Sequence, residues 1–368
     1  MAPETAADYT VRWFDPVDRE PFLDLYEETF GGGGDEWFQW KYVDNPRVAH
    51  VPILVARADG EFAGARAQVP FLMRTGDETV LAMRFGDTMV HPDHRRRGVF
   101  SRLTERALDH YGRMSVEFCY NCPNDLSRPG FLKAGGEVVA NLPSFYRVQR
   151  PTVLATDADR PVSAAARVAA PAVRAYLGAR DRLATVPEDV TTVEHGEIPV
   201  SLLSDLYRRG SPPGVHAVRD ETFLSWRYRN PDWEYRAFSA GTEGRTDAAV
   251  VTGTRTDADG VTATHVVDAL PLAASERRDS ALDALLAVVT EEFRGSDLLA
   301  YCGTAIPRSI LADHGFQFDG SFPMDRVTSP TRLVAYDLGD GEPAWSSGGV
   351  DVSGPHGWAL SDVELDAR

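Results

Sequence analysis

A long-range repeat constrains the fold of this sequence more than any other feature. The residues Trp-Lys-Tyr-Val-Asp-Asn-Pro at 40–46 return as Trp-Arg-Tyr-Arg-Asn-Pro at 226–231, which is 186 positions later and one residue shorter. Gly135 is matched by Gly315 at an offset of 180 residues. Two landmarks at nearly equal offsets favour a duplicated domain, because self-similarity at a fixed period is typical of a repeated structural unit.

The length of the chain allows two such units. Its 368 residues correspond to about two domains of ordinary size, each large enough to bury its own core. We predict a first domain at residues 1–150, a helical linker at 151–190 and a second domain at 191–338. The Gly/Ser/Pro-rich tail at 339–368 could add a last edge strand at residues 357–360.

The local patterns alternate between strand and helix in the first copy and predict the α/β class. An apolar stripe with helical period indicates a helix over residues 98–111, whereas β-branched and apolar segments indicate strands. The predicted strands are residues 51–56, 65–73, 80–90 and 115–120. Each copy opens with a helix-like segment, at residues 21–26 and 200–207.

The chain is acidic, with 38 basic and 55 acidic residues and a formal net charge of −17. Lys41 and Lys133 are its only lysines. This acidic, arginine-based composition resembles that of proteins from salt-accumulating halophiles, where salt screens the repulsion between surface charges. The negative field argues against a nucleic-acid partner, because it would repel the phosphates.

Membrane and metal proteins are also disfavoured. No window approaches 18 consecutive apolar residues and the N-terminal segment does not resemble a signal peptide, so we predict a cytoplasmic protein with no membrane partner. Cys119, Cys122 and Cys302 lack the further cysteine or histidine pairs that would complete a zinc site. We therefore predict no metal.

An arginine-rich loop at residues 91–98 carries the clearest chemical signal. A predicted strand ends near Val90, Pro92 blocks its continuation, and three arginines precede Gly98 at the start of a helix. A helix start presents unpaired N–H groups and the positive end of the helix dipole, and a glycine lets an anion approach the backbone. The loop therefore predicts a pyrophosphate site.

The elements around this loop resemble the acetyl-CoA site of the GNAT superfamily of acyl-CoA-dependent N-acyltransferases. They run in the order strand, His-Pro, Arg-x-x-Gly, amphipathic helix, strand and Asn-containing turn. The resemblance extends from Val11 to Val148 and is strongest from Arg84 to Gly136. It implies a tandem arrangement similar to that of the Eis-type acetyltransferases, with two mixed, mostly antiparallel sheets flanked by helices.

Carried over by position, the family pattern implies a set of cofactor-binding residues. The backbone of Met89 and Val90 would bind the pantetheine arm and the thioester carbonyl of acetyl-CoA, and Asn124 would contact the same arm. The pyrophosphate would be cradled by Arg95, Arg96, Arg97, Gly98, Val99 and Phe100. Phe100 departs from the small residue usual in the family, although the Eis-type enzymes also carry a large apolar residue there.

The proton donor of the family is missing. Phe131 stands where a tyrosine commonly protonates the departing thiolate, and a phenyl ring cannot donate a proton. Tyr120, Tyr146 or solvent could take that role, or the site is not catalytic.

A strand carboxylate that faces the cleft is the predicted general base for the acceptor amine. Asp87 is the first candidate, since it lies in the strand whose end would form the acyl site. The alternative is a structural aspartate that caps or pairs with Arg84. Glu117, at the start of the next strand, is the second candidate.

The second copy lacks the corresponding loop. Its strand end at residues 266–271 leads to residues 275–280, where no glycine occurs and Glu276 and Asp279 bracket the arginines. These carboxylates would repel a pyrophosphate, so we interpret this copy as degenerate. It would shape the acceptor cleft or an oligomer surface, which leaves a homo-oligomer open.

The leading functional hypothesis is an N-acetyltransferase that moves acetyl from acetyl-CoA to a primary amine of a small molecule or amino sugar. One alternative is a non-catalytic acyl-CoA sensor, motivated by Phe131. Another is an aminoacyl transferase of the FemABX type, which shares the tandem architecture but does not need the arginine loop. No motif in the sequence identifies the acceptor.

Overall fold

The computed structural model describes residues 8–154, 160–183, 189–242, 244–339 and 345–365. The helices are α1 (Arg19–Phe30), α2 (Asp35–Phe38), α3 (Val99–Tyr111), α4 (Arg128–Lys133), α5 (Arg160–Leu183), α6 (Val200–Arg209), α7 (Glu221–Arg227), α8 (Glu276–Glu292) and α9 (Arg308–Asp313). Helix α3 follows the prediction closely, because its apolar stripe of Val99, Leu103 and Ala107 is fully buried against the sheet.

The strands fall mainly into two large sheets. They are β1 (Tyr9–Trp13), β2 (Ile53–Ala58), β3 (Glu61–Thr75), β4 (Glu78–Val90), β5 (Val116–Asn121), β6 (Glu137–Leu142), β7 (Ser144–Val148), β8 (Thr191–His195), β9 (His216–Ala217), β10 (Glu234–Thr242), β11 (Arg245–Thr256), β12 (Thr262–Leu270), β13 (Leu298–Cys302), β14 (Gln317–Phe318), β15 (Thr331–Asp337), β16 (Ser346–Ser347) and β17 (Val350–Asp351).

Both large sheets are mixed and mostly antiparallel, which confirms the predicted fold class. The first has the order β1-β2-β3-β4-β5-β15-β6, with β9 paired to β3, and the second has the order β14-β7-β13-β12-β11-β10-β8. Each contains one parallel pair at its centre, β4 with β5 and β12 with β13. The strands β16 and β17 form a separate hairpin.

The two halves of the chain exchange one strand. Strand β15 lies between β5 and β6 in the first sheet, with Val334 opposite Asn121. Strand β7 lies between β13 and β14 in the second sheet, with Tyr146 opposite Ala300. Each sheet is therefore completed by a strand from the other half, and the halves cannot separate without breaking both sheets. The domain boundaries near residues 150 and 191 stay a prediction.

A shared apolar core joins the halves. Phe71 and Tyr120 of the first sheet pack in one cluster with Leu203, Trp226 and Trp358 of the second half. Helices α3 and α4 cover the opposite face of the first sheet, and α8 covers the second sheet. The first sheet is thus buried on both faces at its centre, where its parallel pair lies.

The tail contributes structure of a different kind from the predicted edge strand. A short 3-10 turn at Pro355–Gly357 interrupts extended backbone, and Trp358 then makes a single bridge to Val215. The following residues, 361–365, lie against the second half. Helix α5 occupies the predicted linker. None of the helices in the described ranges combines the length and apolarity that a membrane crossing needs.

Candidate functional site

The first sheet opens between its two parallel strands. Their ladder ends at the pair Arg84 and Tyr120, while β4 continues to Val90. A bulge lies just beyond, because Ala67 is opposite Gly86 whereas Ala65 is opposite Met89, which leaves an extra residue on β4. Bulges bend a strand and interrupt pairing. The result is a wedge between the ends of β4 and β5.

Asp87 sits in this bulge with a φ of 42°, a left-handed conformation that is uncommon for residues other than glycine. Strained backbone of this kind clusters at functional sites. The register of β4 with β3 shifts at this point, so the regular ladder is interrupted at the mouth of the wedge.

The helix start beside the wedge is open. Gly98 is the N-cap of α3, has a φ of 82° and provides no side-chain cap. An added Cβ on Gly98 would meet no atom within 4 Å, and Arg95, Arg96 and Arg97 are exposed around it. A pyrophosphate fits this arrangement, since unpaired N–H groups, the helix dipole and three guanidinium groups all favour an anion.

The corresponding helix start in the second half is closed. The Ser275 side chain caps α8 by accepting from the Arg278 backbone N–H at 3.4 Å. The buried Arg278 side chain donates to the carbonyls of Pro271, at 2.6 Å, and of Ala305, so it bridges the ends of β12 and β13. Asp279 pairs with the same guanidinium at 2.8 Å. The opening between the ends of β12 and β13 is therefore bridged by the Arg278 side chain, and the start of α8 beside it is capped.

A cleft of about 440 Å³ lies at the mouth of the first wedge and is lined by both halves of the chain. The first half contributes Phe30, Arg84, Phe85, Gly86, Asp87, Thr88, Asn121, Cys122, Pro123, Asn124, Ser127 and Phe131. The second half contributes Trp233, Arg255, His265, Thr331, Asp362 and Leu365.

Of the three predicted pantetheine-binding residues, Asn124 lines the cleft, while Met89 and Val90 follow the cleft-lining Thr88 at the end of β4. Met89 and Val90 pair with β3 on one side only, opposite Ala65 and Gly64. A Cβ on Gly64 would lie 2.5 Å from the Met89 carbonyl oxygen, which explains the glycine. The Asn124 side chain lines the cleft and accepts from the backbone N–H of Ser127 at 2.9 Å, so it also starts the turn before α4.

Phe100 has a structural reason to be large. Its ring packs on Gly130, where an added Cβ would lie 2.7 Å away, and meets the Phe131 ring edge-on at 5.1 Å between centroids. The fully buried Arg66 guanidinium lies over the rings of Phe85, Phe100 and Phe131 at 4.7–5.1 Å. Burial lowers the pKa of Arg66 to about 10. This aromatic cluster fills the space between α3, α4 and the sheet.

Asp87 is held in a buried ion pair. Its carboxylate accepts from Lys41 Nζ at 2.6 Å and from the Tyr42 hydroxyl, and its side chain is fully buried. Both partners belong to the repeated motif. The counterpart in the second half is Asp268, which accepts from Tyr228 at 3.4 Å and from the buried Arg219. A contact present in both halves favours a structural role, while the role of Asp87 as general base stays a prediction.

The other predicted catalytic residues lie outside the cleft lining. Glu117 is in register with the segment of β4 before Arg84, roughly 10 Å along the strand from the wedge at 3.3 Å per residue. Tyr120 is fully buried beside Phe118 and Trp358, and its hydroxyl has no hydrogen-bond partner among the described residues. Burial raises the pKa of Tyr120 well above its ordinary range. Both roles stay predictions.

Tyr146 lies in the second sheet, where burial raises its pKa to about 12. No group of three or more His, Cys, Asp or Glu side chains in the described ranges is placed to hold a metal ion.

Sequence reasoning missed the residues that close the cleft from the second half. His265 and Trp233 are separated from the loop by more than 130 positions, and Asp362 lies in a tail without any recognisable motif. The tail is fixed by buried arginines: Arg227 donates to the carbonyl of Val363 at 3.0 Å. In the sequence, the one sign of this contact was Arg227, the cation of the second copy of the repeat.

The comparisons with known proteins agree with this geometry. Residues 10–136 match the sequence profile of the acetyltransferase (GNAT) domain. Residues 10–136 are a GNAT acetyltransferase domain. The predicted family and the predicted enzyme class, an N-acetyltransferase, are thereby confirmed for this GNAT domain. No curated protein matches the sequence at a significant level.

Solved structures extend the likeness to both halves. A GCN5-related N-acetyltransferase from Anabaena variabilis superposes with a TM-score of 0.60 at 11% identity, over 90% of this chain and 73% of that one. A GCN5-related N-acetyltransferase from Kribbella flavida superposes with a TM-score of 0.56 at 13% identity, over 90% of this chain and 71% of that one. Eis1 from Mycobacterium abscessus superposes with a TM-score of 0.51 at 13% identity, over 90% of this chain and 74% of that one. At such identities the likeness concerns the fold, and it spans the GNAT domain together with the second sheet.

Proposed function

We propose that this protein transfers the acetyl group of acetyl-CoA to a primary amine of a small molecule or amino sugar, by direct attack of the amine on the thioester. One observation carries the proposal: the first half combines a wedge between β4 and β5 that opens into the cleft with an uncapped start of α3, the helix that follows β4. The second half has a bridged wedge and a capped helix instead.

Two sets of residues in the GNAT domain would bind two parts of acetyl-CoA. The N–H groups at Gly98, Val99 and Phe100, with the arginines before them, would hold the pyrophosphate. The backbone of Met89 and Val90 and the Asn124 side chain would hold the pantetheine arm in the wedge. When bound, acetyl-CoA supplies the activated acetyl thioester.

The cleft favours a small acceptor. Its volume of about 440 Å³ falls in the usual range for small-molecule sites, and it is walled by side chains of both halves. Trp233 and Phe30 offer apolar and aromatic surface, and His265 adds a polar ring to the same lining. An amine with a ring or short carbon skeleton matches this lining.

The test is release of free CoA with a panel of amines, together with calorimetric titration of acetyl-CoA. Gly98→Glu should abolish acetyl-CoA binding, because it adds a carboxylate and a Cβ at the helix start. Gly260→Glu is the matched control: Gly260 also has a positive φ, of 79°, and open space around an added Cβ. It should bind as the wild type does.

The outcomes separate the candidate functions. Binding with CoA release supports the transferase, whereas binding without turnover of any amine would support the acyl-CoA sensor that Phe131 motivates. Unchanged binding in Gly98→Glu would overturn the assignment of the cofactor site.

A further inference from the structure

A histidine and an aspartate form a pair in the wall of the cleft that faces the GNAT domain. His265 Nδ1 lies 3.3 Å from Asp362 Oδ2, and both residues line the cleft. The His265 side chain is 29% exposed and that of Asp362 is 11% exposed, so the ring is accessible while its partner is largely covered. A carboxylate beside Nδ1 favours the tautomer with the proton on Nδ1, which leaves Nε2 as the nitrogen that can accept a proton.

The surroundings hold this ring in place. His265 lies in β12, opposite Gly253 on one neighbouring strand and Ala300 on the other. A Cβ on Gly253 would lie 2.9 Å from the Trp233 ring, so the glycine makes room for that ring. The Trp233 ring in turn meets the imidazole at 5.2 Å with an interplanar angle of 83°. The packing leaves the imidazole few alternative orientations.

The aspartate is also built into the fold. The backbone on both sides of Asp362 is fixed, because Glu364 accepts from the Ser361 N–H at 2.8 Å and from the fully buried Arg219 at 2.7 Å. Arg227 donates to the carbonyl of Val363. Two buried arginines of the second half thus hold the tail segment that presents Asp362 to the cleft.

We propose that His265 is the general base that deprotonates the acceptor amine, and that Asp362 is the residue that positions it. The inference rests on the proposed function, since it needs an amine in this cleft. His265 Nε2 takes one proton from the acceptor ammonium. The amine nitrogen then forms a bond to the acetyl carbon as the carbon–sulfur bond breaks.

The step balances. The second proton lost by the attacking nitrogen neutralises the departing thiolate, and the imidazolium returns the first proton to solvent. One ammonium and one acetyl thioester give one amide, one free thiol and one proton. A histidine oriented by a carboxylate in this way is an established arrangement for general bases.

The other charged groups of the cleft do not replace this pair. Asp87 is engaged by Lys41 and the Tyr42 hydroxyl, and its side chain is fully buried. Arg84 and Arg255 are the cationic side chains of the lining, and a guanidinium cannot accept a proton. Among the cleft-lining residues that the structure describes, the imidazole is the basic group with an accessible nitrogen.

The experiment compares His265→Gln with His195→Gln. His195 is a matched control, since it lies in the same sheet, is partly buried and bonds Ser239 at 2.8 Å outside the cleft. We expect His265→Gln to lower kcat by about 10²–10⁴-fold, the range for a lost general base, with acetyl-CoA affinity unchanged. The decline of kcat at low pH should disappear in the residual activity. Exogenous imidazole should restore turnover to His265→Gly.

A second pair of variants tests the positioning role. Asp362→Asn should lower kcat by about 10-fold or more and change the pH profile, because an amide cannot stabilise the imidazolium. Asp283→Asn is its control, since Asp283 pairs with His314 at 2.8 Å outside the cleft, and kcat should stay within about twofold.

Failure of this inference can be told from failure of the proposed function. If the wild type releases CoA and folded His265→Gln keeps its rate and pH profile, His265 is not the base and the proposed function survives. If His265→Gln is impaired but imidazole fails to rescue His265→Gly, a structural role replaces the chemical one. If no amine releases CoA from the wild type, both proposals fall together.

Discussion

The indole N–H of Trp40 donates to the backbone carbonyl of Trp226, and the indole N–H of Trp226 donates to the backbone carbonyl of Trp40, each at 2.7 Å. The two rings stack at 5.4 Å with an interplanar angle of 13°. These are the first residues of the two copies of the repeat. The repeat is therefore one of the contacts that join the halves, with approximate twofold symmetry between the two tryptophans.

We expect Trp40→Phe to lower the free energy of unfolding by about 0.5–1.5 kcal/mol, because the Trp226 carbonyl loses the indole donor and keeps only the backbone N–H of Arg229 at 3.1 Å. Trp226→Phe should do the same. The two substitutions should be strongly non-additive, since the rings are in contact. Urea denaturation of both single variants and the double variant measures the coupling.

Trp358 provides a control for this comparison of single and double variants. Its N–H donates within the tail, to the Val352 carbonyl at 3.0 Å. Trp40→Phe and Trp358→Phe should therefore add within about 0.5 kcal/mol. Additive effects in the Trp40 and Trp226 pair would contradict the view that they act as one contact.

Local patterns predicted the parts of this molecule that depend on nearby residues. The loop before Gly98, the helix that it starts and the Asn124 turn are each encoded within a few positions, and all three are found where the sequence placed them. The repeat was detectable because both copies of the motif make the same contacts, through Trp40 with Trp226 and through Tyr42 with Asp87.

The remaining features depend on contacts that local periodicity does not record. The exchange of β7 and β15 changes the partner of each strand without changing its apolar pattern. The pairing of Lys41 with Asp87 spans 46 positions, and that of His265 with Asp362 spans 97. Each residue of such a pair has an ordinary sequence context, so only the assembled fold shows that the two meet.

Asp87→Asn distinguishes a structural from a catalytic aspartate. We expect a loss of about 3 kcal/mol in the free energy of unfolding, because the buried Lys41 loses its counter-charge. The folded fraction should retain turnover and the wild-type decline of kcat at low pH. Chemical denaturation and a pH series at a temperature where the variant is folded measure both.

Asp268→Asn is the matched variant in the second half. Tyr228 and Arg219 contact Asp268 as Tyr42 and Lys41 contact Asp87. It should destabilise the protein in the same way. A fully stable Asp87→Asn protein with kcat lowered by about 10²-fold or more would instead make Asp87 the general base.

His216 should make the protein less stable in acid. It is fully buried, with Nδ1 2.6 Å from the Gly214 carbonyl and Nε2 3.1 Å from the Tyr207 hydroxyl. Burial, with Arg219 nearby, lowers the pKa of His216 from 6.5 to about 4. Between these values the unfolded chain binds the proton and the folded chain does not.

As the pH falls from 6.5 towards 4, this group lowers the free energy of unfolding by about 1.4 kcal/mol per pH unit, and by about 3 kcal/mol in all. His216→Gln should remove that part of the dependence. Urea denaturation at pH 7 and pH 4.5 gives the difference between the variants, and equal slopes in both proteins would show that His216 is charged when folded.

Phe131→Tyr restores the hydroxyl that the GNAT pattern leads one to expect. Phe131 lines the cleft, and its ring is already fixed by the edge-on Phe100 ring and by the Arg66 guanidinium above it at 4.9 Å. The added oxygen should therefore extend from a ring whose position does not change. We expect acetyl-CoA affinity within about threefold of the wild type and a kcat equal to or above it, measured by calorimetry and by CoA release. A phenol at this point can supply to the thiolate the proton that solvent otherwise supplies. Loss of acetyl-CoA binding in a correctly folded variant would show that residue 131 does not occupy the position of the family's proton donor.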